Sequence, residues 1–129
     1  MEIVEPKYRF GGNWEELATL FNYTIDSLSQ DWTYEIAEPE RIEDYIQAYD
    51  NEIKNEDTKF SLMEMIIQAL EDQGSIESIK LKWPLVKNLL LKDFELHQYT
   101  IFYWSCWTNE NIEDTWSVTP FFRELWLKK

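Results

Sequence analysis

The sequence of 129 residues has few of the side chains that build cross-linked or metal-bound folds: one cysteine, Cys106, and one histidine, His97. A single cysteine excludes an internal disulfide framework, and one histidine beside it excludes a structural zinc site on sulfur and nitrogen ligands. The glycine-rich patterns that cradle phosphates or dinucleotides are missing, since only three glycines are present. We therefore predict no metal site and no cofactor.

Long apolar runs are also missing. No stretch approaches the roughly 18–20 residues needed to span a bilayer. The start of the chain, Met1 to Pro6, has neither the basic residues nor the apolar stretch of a signal peptide. The expectation is a soluble, cytoplasmic protein.

Basic residues are scarce: 12 lysines and arginines face 25 acidic residues, a net charge of -13. Nucleic-acid binders need clustered cations, and anionic membranes attract them, so both kinds of partner are disfavoured. A strong negative field instead favours encounter with a basic protein partner. The alternative, that the charge serves solubility alone, stays open at this point.

The chain is predicted to form a single domain over residues 1–129, because its length suits one domain and no linker or repeat divides it. Hydrophobic residues make up 44%, enough for a real core. The segment Asp31–Phe60 holds ten acidic and three basic residues, a net charge of -7. The simplest interpretation is one acidic face on one domain.

About five helices are predicted from apolar spacing and capping residues. The first begins after Asn13 and keeps helical spacing as far as Leu28. Another has a capping box of Ser61 with Glu64, ends at Gly74, and is apolar nearly all round, which predicts a place at the centre of the core. The remaining helices are predicted to begin at Pro39, near Pro84 and at Thr119-Pro120.

Two segments have the composition of β-strands. Trp32, Tyr34 and Ile36 alternate with polar or small residues, and Gln98–Trp107 is rich in aromatic and branched residues. Thr115–Val118 could return as the second strand of a hairpin. The predicted fold is therefore α+β, with helices packed on a small, mainly antiparallel sheet, although a continuous apolar run such as 98–107 can also be a buried helix.

The helix that begins at Pro39 carries the predicted partner-binding surface. Its apolar stripe should face the core and leave acidic side chains outward. Like charges four residues apart repel one another, so a purely structural helix would do better with interspersed lysines. The predicted partner-binding residues are Glu40, Glu43, Asp44 and Asp50.

His97 is the one conventional general base of the chain, and on a strand it would share a face with Glu95 and Tyr99. These three are the candidate catalytic residues of an alternative hypothesis, a small enzyme that uses His97 with a carboxylate. A structural histidine is the simpler interpretation. A further alternative is a homo-oligomeric structural protein whose exposed aromatic residues associate, and the oligomeric state stays open.

Scattered apolar and aromatic positions resemble those of small bacterial immunity-type proteins, which are encoded beside toxins. The resemblance covers residues 60–126. It implies a protein without enzymatic activity that neutralises a toxin by binding it, often over a basic active-site surface. The positions that carry it are Leu62-Met63-Glu64-Met65-Ile66-Ile67, Trp83-Pro84, Leu89-Leu90, His97, Tyr103-Trp104 and Pro120-Phe121-Phe122-Arg123.

Overall fold

The computed structural model describes residues 3–9, 11–24 and 32–128, and within these ranges it contains helices and no β-strand. The predicted α+β class with a small antiparallel sheet is therefore wrong, and the described part of the protein is all-helical. The α-helices are α1 (Trp14–Phe21), α2 (Trp32–Ile36), α3 (Ile42–Asn51), α4 (Glu56–Glu71), α5 (Ile76–Lys92), α6 (Phe94–Ser105) and α7 (Thr119–Lys128). Two short 3-10 helices, Pro39–Arg41 and Ile112–Asp114, precede α3 and α7.

The chain divides into two compact units. One, here called the α1–α4 unit, is Phe10–Asp72. The other, the α5–α7 unit, combines Met1–Arg9 with Gln73–Lys129. The single domain over residues 1–129 stays a prediction.

Helix α4 is the centre of the α1–α4 unit, as its apolar sequence predicted: ten of its sixteen residues are buried, and it contacts α1, α2 and α3. It begins earlier than predicted, because Asn55 is the N-cap and its side-chain oxygen accepts two first-turn N–H groups at 2.8 and 3.2 Å. Ser61 is buried inside the helix, and its hydroxyl donates to the Gly12 carbonyl at 2.9 Å. The predicted capping box of Ser61 with Glu64 is therefore wrong.

Helix α1 begins after Asn13, as predicted, but its cap differs. Asn13 has a left-handed backbone with φ 58° and makes no side-chain cap hydrogen bond. Its amide instead donates to Asn55 Oδ1 at 3.1 Å and to Thr58 Oγ1 at 2.9 Å, which joins the starts of α1 and α4. The helix ends at Phe21, earlier than predicted, and the rest of the predicted stretch, as far as Leu28, falls partly on residues 25–31, outside the described residues.

The segment Trp32–Ile36, predicted as a strand, is helix α2. Five residues are too few to separate alternation from helical spacing, and here Trp32 and its neighbour Thr33 are both buried, which a half-buried strand would not allow. The helix is fixed to α4, because Thr33 Oγ1 and the Tyr34 hydroxyl both donate to the Glu64 carboxylate, at 3.0 and 3.1 Å.

The predicted hairpin is also wrong. Most of Gln98–Trp107 belongs to α6, which ends where Cys106 adopts a left-handed φ of 51°. Thr115–Val118 forms no strand and leads into α7. The alternative left open by the sequence, a buried helix, is the one the chain adopts. The buried residues of α6 recur at helical spacing: Leu96, His97, Thr100, Ile101, Trp104 and Ser105.

In the α5–α7 unit, α5 is longer than predicted. It begins at Ile76, where the Ser75 hydroxyl accepts the Ser78 N–H at 3.2 Å, and Pro84 lies inside the helix instead of at its start. Helix α7 begins at Thr119, with Pro120 in its first turn, as predicted to within one residue.

Arg123 of α7 hydrogen-bonds to backbone carbonyls at the C-terminal end of α6 and in the loop that follows it. Its guanidinium donates to the carbonyls of Ser105 at 2.7 Å, Cys106 at 2.8 Å and Asn109 at 3.1 Å, and it lies 5.1 Å from the centre of the Trp107 ring. The carbonyls at a helix end lack intrahelical partners and carry partial negative charge, so a cation satisfies them well.

Candidate functional site

The net negative charge of the protein lies in one of the two units. The α1–α4 unit holds sixteen acidic and three basic residues of the sequence, and the α5–α7 unit holds nine of each. The formal net charge of -13 therefore belongs to the α1–α4 unit, and the α5–α7 unit is neutral. Negative charge concentrated in one unit produces a stronger local electrostatic potential than the same charge spread over the whole chain.

The four predicted partner-binding residues, Glu40, Glu43, Asp44 and Asp50, are all exposed. They lie on α3 and on the 3-10 helix before it. The apolar stripe of the same segment faces inward as predicted, with Ile46 half-buried and the other members buried: Ile42, Tyr45, Tyr49 and Ile53. The acidic face predicted for this helix is therefore present.

Arg41 is the basic residue among these acids. Its guanidinium lies 3.5 Å from Asp44 Oδ2 and 3.8 Å from Glu38 Oε2, and it donates to the Phe21 carbonyl at 2.9 Å. It also lies over the Tyr23 ring, 5.1 Å from its centre. Arg41 thus joins the end of α1 to α3, and Asp44 is partly neutralised by it.

Two tyrosines, Tyr23 and Tyr45, hold Glu38, the residue before the 3-10 helix that leads into α3, by hydrogen bonds. The Tyr23 hydroxyl donates to Glu38 Oε2 at 2.6 Å, so the Tyr45 hydroxyl must donate to Tyr23 across their 2.5 Å contact. Tyr45 in turn accepts the Glu38 N–H at 3.1 Å. Burial, with the hydrogen bonds to Glu38 and Tyr45, raises the pKa of Tyr23, which keeps this donor protonated.

Helix dipoles explain some of the acidic residues and not others. First-turn acids such as Glu43 and Glu56 lie where the positive end of a helix stabilises them. Asp50 and Glu52 lie at the opposite end of α3, where a negative charge is unfavourable and where the last turn contains no basic residue. The helix dipole therefore does not explain these two acids.

A groove of about 420 Å³ lies between α1 and the end of α3. Its apolar part comes mainly from Leu20, which is 39% exposed, since Ile53, which also lines it, is only 3% exposed. Its polar lining is Glu15, Glu16, Thr19 and Glu52. The Glu16 carboxylate is held in place because Oε2 accepts the Thr58 hydroxyl at 2.9 Å.

Sequence reasoning missed this groove. Two signals pointed to it: Leu20 lies outside the apolar stripe of α1, and Glu52 is an acid at the wrong end of a helix. Neither signal places α1 beside the end of α3, because that contact depends on how both helices pack on α4.

The candidate catalytic residues His97, Glu95 and Tyr99 do not form a site. His97 is 0% exposed, so no substrate can reach its ring, whereas Glu95 is exposed. Residues two apart face the same way on a strand but lie about 200° apart on a helix, so α6 separates His97 from the other two. Tyr99 packs edge-on against Tyr8, with ring centres 5.0 Å apart, and burial together with the Glu5 charge raises its pKa.

Among residues 3–9, 11–24 and 32–128, no group of three or more histidine, cysteine, aspartate or glutamate side chains is placed to hold a metal ion. In the same ranges, no helix has both the length and the apolar composition needed to cross a membrane.

Comparison with known proteins gives no family for this chain: no family model, no curated protein and no solved structure matches it.

Proposed function

We propose that this protein is a non-catalytic binding module whose acidic α1–α4 unit occupies a basic surface of a protein partner. The observation that carries the proposal is the location of the entire net charge of -13 in that unit. Complementary charge accelerates encounter and selects against wrong partners. The binding surface in this proposal is Glu40, Glu43, Asp44 and Asp50.

The most specific form of the proposal is an immunity protein that neutralises a basic toxin in the cytoplasm. The resemblance over residues 60–126 supports this form, and the acidic surface agrees with it. A toxin gene directly beside the gene of this protein would favour it, whereas a metabolic operon would count against it.

A double charge reversal tests the acidic surface. Glu40→Lys with Glu43→Lys leaves Asp44 paired with Arg41 and should change the free energy of unfolding by less than about 0.5 kcal/mol, because relief of repulsion offsets the lost dipole interaction. Binding to a partner captured by the parent protein should weaken at least tenfold. The measurement is calorimetric titration at about 20 and 150 mM ionic strength, beside a melting curve.

Glu110→Lys with Glu113→Lys is the matched control, because both residues are exposed in the α5–α7 unit and the change in net charge is the same. The loss of partner affinity should be larger for Glu40→Lys with Glu43→Lys than for the control pair, and the difference should be greatest at low salt. Equal losses for both pairs would mean that only the total charge matters, and unchanged binding of the first pair at low salt would contradict the proposal.

Self-association is a second candidate function, and one observation favours it. Of the ten exposed large apolar side chains among the described residues, nine lie in the α5–α7 unit. Leu81 and Leu85, 77% and 46% exposed, form the middle of an exposed stripe on α5 that runs from Glu77 to Lys92. Two copies packed antiparallel along this stripe would set Glu77 of one beside Lys92 of the other, as a two-fold interface requires.

Sedimentation velocity from low to high micromolar concentration tests this second candidate. The parent should show a dimer that dissociates on dilution, and Leu81→Glu should be monomeric throughout. Leu127→Glu is the matched control, since Leu127 is 47% exposed in the same unit but lies outside the stripe. A parent that stays monomeric at every concentration would rule the interface out.

A further inference from the structure

Leu20 is unusual in the α1–α4 unit. Among the described residues of that unit it is the one large apolar side chain counted as exposed, and it lies in the groove beside three carboxylates. The groove volume of about 420 Å³ lies in the usual range of ligand sites, roughly 300–1,000 Å³. An apolar surface with an acidic rim is suited to a ligand that is itself apolar along its length and cationic at its end.

We infer that this groove is the anchor site for a basic side chain of the protein partner. The aliphatic stem of an arginine or lysine would lie mainly on Leu20, because Ile53 is almost fully buried, and its charged head would reach the carboxylates of the rim. Long basic side chains bury their stems in this way while their heads stay near water or an anion. The inference rests on the proposed binding function and assigns its central contact.

The rim carboxylates are available for such a ligand. In the described part of the chain, Glu15, Glu16 and Glu52 form no ion pair with a basic side chain. Among the described residues no group of three or more carboxylates, histidines or cysteines is placed to hold a metal ion, so we take the ligand to be an extended organic cation. Glu52 also lies against the dipole of α3, so a role in binding explains a charge that the helix alone disfavours.

The inference can be tested without the natural partner. The probes are n-butylguanidinium, which has both stem and head, guanidinium, which has the head alone, and 1-butanol, which has the stem alone. Amide chemical shifts of the full chain are followed by NMR during each titration. Butylguanidinium should shift the amides of α1 and of residues 52–53 in a saturable way, at concentrations about tenfold lower than either fragment requires.

Two variants separate the stem contact from the head contact. Leu20→Ser and Glu52→Gln should each weaken butylguanidinium binding about threefold to tenfold. The melting temperature of Glu52→Gln should be equal to or above that of the parent, since an unfavourable charge is removed. Glu56→Gln is the matched control, because Glu56 is an exposed acid outside the groove, and its affinity should equal the parental value.

Butylguanidinium shifts spread over the whole acidic unit, or an affinity that Leu20→Ser leaves unchanged, would overturn the inference. Once a partner is known, binding measurements distinguish a failure of the groove inference from a failure of the proposed function. If Glu40→Lys with Glu43→Lys abolishes partner binding while Leu20→Ser does not, the acidic surface acts without the groove and this inference alone is wrong. If neither change matters, the proposed function is wrong as well.

Discussion

Arg123→Met is expected to lower the free energy of unfolding by about 3 kcal/mol. The guanidinium makes three hydrogen bonds of 2.7–3.1 Å to carbonyls at and beyond the end of α6. Each charged hydrogen bond is worth about 1.5–3 kcal/mol, and the losses are not additive because the loop can relax toward water. Methionine keeps the packing against Trp107 and removes the donors. Urea denaturation followed by circular dichroism at 222 nm measures the change.

Lys128→Met is the control for the loss of a cation from the same helix. Lys128 pairs with Glu124 at 3.0 Å on an exposed surface, so its removal should cost less than about 1 kcal/mol. Arg123→Lys should fall between the two, because one ammonium cannot satisfy three carbonyls arranged for a planar fork. Equal stabilities for Arg123→Met and Lys128→Met would show that Arg123 does not hold this end of α6.

Gly11→Ala is the second change with a large expected effect, a loss of about 2 kcal/mol. Gly11 is buried, and a Cβ there would overlap the Ser61 hydroxyl and lie 2.9 Å from the Phe60 ring. Both neighbours are buried in α4, so the Phe60 ring and the Ser61 hydroxyl, which is bonded to the Gly12 carbonyl, must move to admit the methyl group, and overpacking of this kind costs about 1–3 kcal/mol.

The adjacent glycine gives a matched control for Gly11→Ala. A Cβ at Gly12 would meet no atom within 4 Å, and alanine restricts the unfolded chain, so Gly12→Ala should be neutral or stabilise by up to about 1 kcal/mol. The test is to measure the melting temperatures of Gly11→Ala and Gly12→Ala under the same conditions. If Gly11→Ala melts no lower than Gly12→Ala, the close approach of this segment to α4 is not a constraint on the fold.

The helices that could be predicted from the sequence are those with a one-sided apolar pattern or a very apolar body. The stripe from Ile42 to Ile53 and the body of α4 are examples, and both face inward as expected. The first source of error was an apolar pattern that is not confined to one face of the helix. In α6 the aromatic residues are distributed all round, so the pattern favoured a strand covered on both faces, whereas neighbouring aromatics on α7 cover the helix instead, as in the contact of Phe102 with Trp126 at 5.7 Å.

Caps were the second source of error. Ser61 with Glu64 satisfies the capping-box pattern, but Asn55 six residues earlier is also a good cap and precedes two acids, so α4 begins there. The site was predictable in part: the exposed acids of α3 follow from its stripe. The groove was not, because it needs the three-dimensional meeting of Leu20 with the end of α3.

The unequal division of charge makes ionic strength act on one part of the molecule. In dilute buffer, sixteen carboxylates in the α1–α4 unit repel one another with three cations to relieve them, and counter-ions drawn from solution supply the rest. The α5–α7 unit has equal numbers of both signs, so its stability should depend on ionic strength much less. A basic partner would replace those counter-ions and stabilise the acidic unit on binding. Recognition of a cationic surface would then also tighten the fold of the unit that recognises it.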